Sequence, residues 1–292
     1  MATYLTDDGI CLRVTDFSET SQIVGMFTRR HGLVPLIAKG AKRASKKNVM
    51  SGPLDLLTSG EVVFVPAKDA GGGASGGGVQ LGTLAAWELA DHRRTLRGNL
   101  AGLNAAMMCA EITTHLVHPL DPHEELFGEL EAALSLLGVE TAASHAAEAP
   151  GSIGRTLVAY VKAALIAAGY WPHLGACLKC GKPLADAPLR FSSRAGGILC
   201  GTNGQGAGAC HVDHAGMTMA VPGRVVAALD RLPLPRQIQS HPPDRPADAA
   251  ALQLALHMLL AQVETVTDKP ARTRGLLPSI FQTAKLKSPH TK

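Results

Sequence analysis

Gln22-Ile23-Val24-Gly25-Met26-Phe27-Thr28, then Arg29-Arg30-His31-Gly32, then Leu33-Val34-Pro35-Leu36-Ile37-Ala38 reads as strand, turn and strand. The flanking runs are rich in β-branched and apolar residues, and the turn ends on a glycine, the residue that tolerates positive φ. Working outward, Ile10-Cys11-Leu12-Arg13-Val14 supplies a strand before the pair. After it, Leu54-Asp55-Leu56-Leu57 leads into Glu61-Val62-Val63-Phe64-Val65, and Val79-Gln80-Leu81 resumes beyond a glycine run. About five short strands in so few residues predict a small closed or sandwich-like β module, of which the oligonucleotide-binding (OB) barrel is one. The glycines from Gly71 to Gly78 read as a hairpin tip, because no Gly-Lys-Ser/Thr ending makes them a phosphate loop.

From Ala85 the apolar spacing turns helical, through Leu89, Leu96, Leu100, Leu103 and Met107 to Val117, and stops near Pro119. A second helix is predicted over Glu124–Leu137, opened by Asp121-Pro122, and a third over Ile153–Ala168, ended by Gly169. Gly223–Leu232 and Ala247–Thr265 are further helices, separated by a Pro-rich linker from Leu232 to Pro246. His115, His118 and His123 gather at a helix end with spacing that does not bring three to one face, so they are not read as ligands.

Cysteine placement carries the most specific chemistry. Cys177-Leu178-Lys179-Cys180-Gly181 is a knuckle that turns two thiolates toward one cation, and Cys200 and Cys210 follow. Cys177, Cys180, Cys200 and Cys210 therefore predict a structural tetrahedral Zn2+ site, with His211 and His214 as alternatives for the fourth ligand. A thiol-exchange site would want a βαβ setting, and a zinc deaminase would want proline where Ala176 stands. A closed four-ligand site leaves no position for a reacting water, so the metal is read as a staple.

The 292 residues suffice for two or three cores, although aromatic residues make up only 4%. The start of the chain carries Asp7 and Asp8 and no apolar run, so no signal peptide is expected. No apolar stretch is read as reaching the length of a membrane span, and clustered thiols fit a reducing cytoplasm. Charge is unevenly spread. Thr20 to Leu54 holds no acid but seven cations, Arg29, Arg30, Lys39, Lys42, Arg43, Lys46 and Lys47; taking these seven from the net +4 leaves −3 for the rest. A second acid-free run follows Asp268. Such clusters favour a polyanion, a nucleic-acid backbone first. Phe17, Phe27 and Phe64 are available for base stacking, but strand alternation reads each as core. The chain shows no nucleophile elbow, phosphate loop or carboxylate pair beside the metal motif, so binding is expected rather than catalysis.

Asp16-Phe17-Ser18-Glu19-Thr20-Ser21, Phe27-Thr28-Arg29-Arg30-His31-Gly32-Leu33 and Ala38-Lys39-Gly40-Ala41-Lys42-Arg43 together resemble the N-terminal signature of the RecO family of bacterial recombination mediators. Gly169-Tyr170-Trp171-Pro172 ahead of the Cys177 knuckle resembles the same family's approach to its zinc module. The resemblance implies an α+β chain: an N-terminal OB-fold β-barrel over 1–86, an α-helical domain over 87–172 and 215–292, and a zinc finger inserted at 173–214. It further implies a mediator that binds single- and double-stranded DNA, anneals strands and loads the recombinase RecA onto single strands coated by single-strand-binding protein. The implied partners are RecR, the acidic C-terminal tail of single-strand-binding protein and, in some species, RecF, with no membrane role and a place near the nucleoid. Two other classes fit the residues less fully: a zinc-dependent nucleic-acid-modifying enzyme using Glu124 or Glu125, and an adaptor whose basic segments grip acidic protein tails.

Overall fold

A computed structural model of the chain describes residues 3–42, 54–67, 80–143, 149–184, 189–200, 218–243 and 248–281. The chain forms two units, one from residues 1–94 with 117–131, the other from 95–116 with 132–292.

The first unit is built on five strands, β1 (Leu5–Asp16), β2 (Gln22–Thr28), β3 (Gly32–Ala38), β4 (Ser59–Val65) and β5 (Gly82–Asp91). They close into a barrel in the order β1-β2-β3-β5-β4, with β4 returning to β1 and β3 running parallel to β5. This is the OB-type barrel expected from the sequence. Side chains alternate in and out along each strand, and the inward set, Val24, Met26, Val34, Leu36, Val62, Phe64 and Trp87 among them, makes one apolar core.

Residues 85–91 are strand, not the start of a helix. The register against β4 slips between Ser59 and Gly60 and between Val63 and Phe64, which leaves an extra residue in β5 at each point. Such bulges break the two-residue period, so the apolar residues Leu84, Trp87 and Leu89 do not alternate as a regular strand would and the segment is not legible as one. Closed though it is, the barrel draws on sequence far downstream. Leu33 of β3 bridges Pro119, Leu120 N–H donates to the Leu33 carbonyl at 3.0 Å, and the Phe127 ring lies 5.7 Å from that of Phe27. Gly32 sits at φ +67°, and a Cβ there would fall 2.0 Å from the Asp121 carbonyl oxygen, so no other residue fits that turn.

Beyond the barrel come α1 (Arg94–Arg97), α2 (Leu100–Leu116), α3 (Glu124–Ala143) and α4 (Ala149–Ala167). The predicted Asp121-Pro122 opening of α3 is displaced: Phe127 N–H bonds the His123 carbonyl, which makes His123 the residue before the first turn. A three-stranded antiparallel sheet follows, β6 (Leu189–Ser192), β7 (Gly197–Cys200) and β8 (Met219–Val221), in the order β7-β6-β8. The chain then continues through α5 (Gly223–Arg231), α6 (Pro235–Ser240), α7 (Ala249–Thr267) and, after a 3-10 turn at Arg272–Leu276, α8 (Leu277–Phe281).

Helix α6 lies within what its prolines suggested was a linker. Pro235 takes the first helical position, where its missing N–H costs nothing, and Ile238 is buried. Helix α7, capped by the Asp248 carboxylate accepting from Ala250 and Ala251 N–H, is long and apolar enough by composition to cross a membrane, which the sequence reading had not allowed. Its Leu256, Leu259, Leu260 and Val263 are all fully buried, and it packs against α4, so its apolarity is that of a core helix.

Lys162 on α4 closes the far end of α5. Its Nζ donates to the carbonyls of Leu229, Asp230 and Leu232 at 3.1, 2.7 and 2.9 Å and stands 5.4 Å from the Trp171 ring centre. Burial pulls the ammonium below its ordinary pKa, opposed by Asp230. Lys162→Met keeps the stem and removes three donors from the end of α5; a loss of about 2 kcal/mol is expected in urea denaturation.

Candidate nucleic-acid interface and metal centre

The acid-free run of sequence does not stay acid-free in space. Asp7, on β1 with its side chain 2% exposed, accepts from Asp8 N–H (2.9 Å), Arg30 N–H (2.8 Å) and Arg30 Nε (3.2 Å), and meets His31 Nδ1 at 2.7 Å. Burial raises the Asp7 carboxyl, but these hydrogen bonds outweigh it and hold its pKa below the ordinary value. Arg29 pairs with Asp8 at 3.2 Å and Glu131 at 2.9 Å and lies 4.5 Å from the Phe127 ring centre. Lys42 Nζ is 2.6 Å from Asp16, whose carboxyl it holds below its usual pKa.

The predicted cations thus fall into two groups. Arg29 and Arg30 stand at the β2–β3 turn, while Lys39 and Lys42 follow the other end of β3. Seven residues of strand separate them, roughly 23 Å. Lys39 is exposed and makes no ion pair among the described residues. Arg43, Lys46 and Lys47 lie outside the described residues. Phe27 and Phe64 are fully buried, as alternation predicted, whereas Phe17 is 60% exposed on the β1–β2 turn, contrary to the core reading. Alternation fails there because Phe17 stands one residue past the end of β1.

At the metal motif, the knuckle forms as its sequence requires. Gly181 N–H bonds the Cys177 carbonyl at 2.9 Å with Gly181 at φ +69°, while Leu178 N–H bonds the Ile198 carbonyl and fastens the knuckle to β7. The β6–β7 hairpin brings Cys200 back, and the sulfurs of Cys177, Cys180 and Cys200 all lie within 4.8 Å of one another. Cys180 and Cys200 Sγ are 3.8 Å apart. Two thiolates on a tetrahedral ion with Zn–S bonds of about 2.3 Å stand about 3.8 Å apart, so the spacing fits such an ion. Burial raises the Cys177 thiol, but backbone N–H groups of Cys200, Cys180 and Lys179 and the Cys200 side chain bring it down to about 6, favouring the thiolate that a metal needs. Cys210, His211 and His214 lie outside the described residues.

Comparison with known proteins decides the family. The family model described as Recombination protein O N terminal matches residues 1–72, and that described as Recombination protein O C terminal matches 97–267. The chain belongs to the RecO family. Similar RecO relatives include the DNA repair protein RecO of Anaeromyxobacter dehalogenans strain 2CP-C, 34% identical over 195 residues, 66% of this chain and 68% of that protein. That of Rhodopirellula baltica is 32% identical over 193 residues, 65% of this chain and 64% of that protein. That of Bifidobacterium longum subsp. infantis is 30% identical over 195 residues, 66% and 72% of the two chains. Sequence reading missed the RecO barrel's Asp7 anchor and its exposed Arg13. The sign of each was visible; the facing of Asp7 depended on a strand that starts at Leu5, ahead of Ile10–Val14, whereas Arg13 stood within that stretch.

Proposed function

We propose that this chain is a DNA-binding mediator of DNA repair and recombination, not an enzyme. The OB-type barrel, in a chain of the RecO family, carries the proposal. Lys39, Arg43, Lys46 and Lys47 supply the grip on phosphates, with Lys42 shared between Asp16 and the ligand and Arg30 partly screened by Asp7. Arg29, held between two carboxylates and a ring, serves the barrel itself. Such contacts are indifferent to sequence and weaken with salt, which suits a protein that anneals strands and helps load RecA beside RecR, RecF and single-strand-binding protein. The work is assigned to the cytoplasm, near the nucleoid, and divided among a barrel that runs past the expected bound of 86 to the end of β5 at Asp91, a helical domain, and a metal finger whose sheet takes in β8 beyond the expected bound of 214. Cys177, Cys180, Cys200 and Cys210 would hold Zn2+, which supplies folding energy and no reaction step.

Reversing Lys39, Arg43, Lys46 and Lys47 to Glu in the full chain should weaken binding to an oligothymidine by more than tenfold and flatten the salt dependence by about three units of slope. Unchanged affinity, with circular dichroism intact, would refute the assignment.

A further inference from the structure

Three thiols gather at the knuckle, and they do not share one environment. Cys180 is exposed, Cys200 half-buried and Cys177 buried. Cys180 Sγ stands 3.8 Å from Cys200 Sγ, while the Cys177 sulfur, within 4.8 Å of both, accepts from Cys200 N–H at 3.3 Å. A sulfur open to solvent with a second sulfur beside it is the arrangement that a small oxidant attacks and a neighbouring thiolate resolves. The other two described thiols offer the opposite case. Cys11 and Cys109 are fully buried, and burial pushes both above the ordinary thiol range, so neither supplies a reactive thiolate.

Contacts other than those of the sulfurs hold the knuckle in place. Ala176 bridges Pro183, Cys177 N–H donates to the Lys182 carbonyl at 3.0 Å, and Leu178 N–H donates to the Ile198 carbonyl at 2.9 Å. Cys200 is the last residue of β7 and pairs across the sheet with Leu189. A bond from Cys180 to Cys200 would therefore tie the knuckle to β7, the same two pieces that a shared cation would tie. Disulfide sulfurs lie about 2 Å apart, so the pair has to close by roughly 1.8 Å, which side-chain rotation supplies.

We propose that Cys180 and Cys200 form a hydroperoxide-responsive pair, whose oxidation exchanges the metal cross-link for a covalent one. The Cys180 thiolate attacks one oxygen of the hydroperoxide, the O–O bond breaks, sulfur gives up two electrons, and Cys180 becomes a sulfenic acid as hydroxide or alkoxide leaves. The Cys200 thiolate then attacks that sulfur; the S–S bond forms, the S–O bond breaks and hydroxide leaves. Two protons from solvent turn the departing anions into water or alcohol. With two thiolates consumed, the site no longer holds a cation, yet the knuckle stays fastened to β7. The proposal rests on the metal assignment above and adds how that site answers an oxidant.

Hydrogen peroxide added to the zinc-loaded full chain should release zinc to a chromogenic indicator, from about one ion per chain to essentially none, with one disulfide mapped by mass spectrometry to Cys180 and Cys200. Cys11 and Cys109 should remain thiols. Amide exchange should separate oxidation from chelation: protection over residues 189–200 persists in the oxidised chain and is lost when a chelator removes the ion. Dithiothreitol with added zinc should restore the starting state. A disulfide mapped instead to Cys177, or zinc retained with every thiol still reduced, would sink the proposal and leave the metal assignment standing. If the chain binds no zinc at all, the metal assignment falls by itself, and the disulfide map alone decides the pair.

Discussion

Changing Cys177 and Cys180 together to serine is expected to take bound zinc from about one ion per chain to essentially none and to unfold the β7-β6-β8 sheet. Its strands hold four, four and three residues. A sheet that small has little stability of its own, whereas a structural zinc site supplies on the order of 10 kcal/mol. The ion would join the knuckle to β7 at the point where Cys200 N–H already reaches Cys177 Sγ at 3.3 Å. Elemental analysis with amide exchange of residues 189–200 reads both effects, and a chelator should reproduce them. Barrel strands should keep their protection. Stoichiometric zinc in the double variant would overturn the ligand assignment.

Asp7→Ala should cost the barrel about 3 kcal/mol, because it strands the Arg30 amide and guanidinium and the His31 ring around a lost buried anion. Trp87, buried in the same core, reports unfolding by fluorescence. The pH dependence has a definite sign. The folded carboxyl titrates below its unfolded value of about 3.9, so its stabilisation is complete above that pH and disappears as pH falls through the folded value. Asp7→Asn should therefore lose stability at neutral pH and show a flatter decline in acid. A cost below about 0.5 kcal/mol, or an unchanged acid slope, would remove Asp7 from this role.

What could be read in advance was local. The strands around Arg29-Arg30-His31-Gly32 follow from two-residue alternation, and the thiol cluster follows from a knuckle whose geometry lies within five residues. Whatever depended on distant partners stayed hidden. Trp87 sits on a bulged strand whose period only its pairing with β4 explains. Arg29 looked free because Glu131, which neutralises it, lies 102 residues on. Proline at 235 marked a helix start, and composition alone presented it as a break. The burial of Asp7 needed the full length of β1, which the short apolar core Ile10–Val14 understated, and the exposure of Phe17 needed the end of β1 at Asp16.

Residues 117–131 complete the barrel, and that imposes a schedule on its birth. With synthesis at about 5–20 residues per second, the stretch of about ninety residues between β3 and Glu131 takes the ribosome roughly 5 to 18 s. Through that interval Phe27 lacks the Phe127 ring and Arg29 lacks Glu131, with only Asp8 to pair against. The first module to be translated thus waits for later sequence, and a nascent chain halted before Phe127 would carry all five barrel strands with Phe27 still lacking its partner ring.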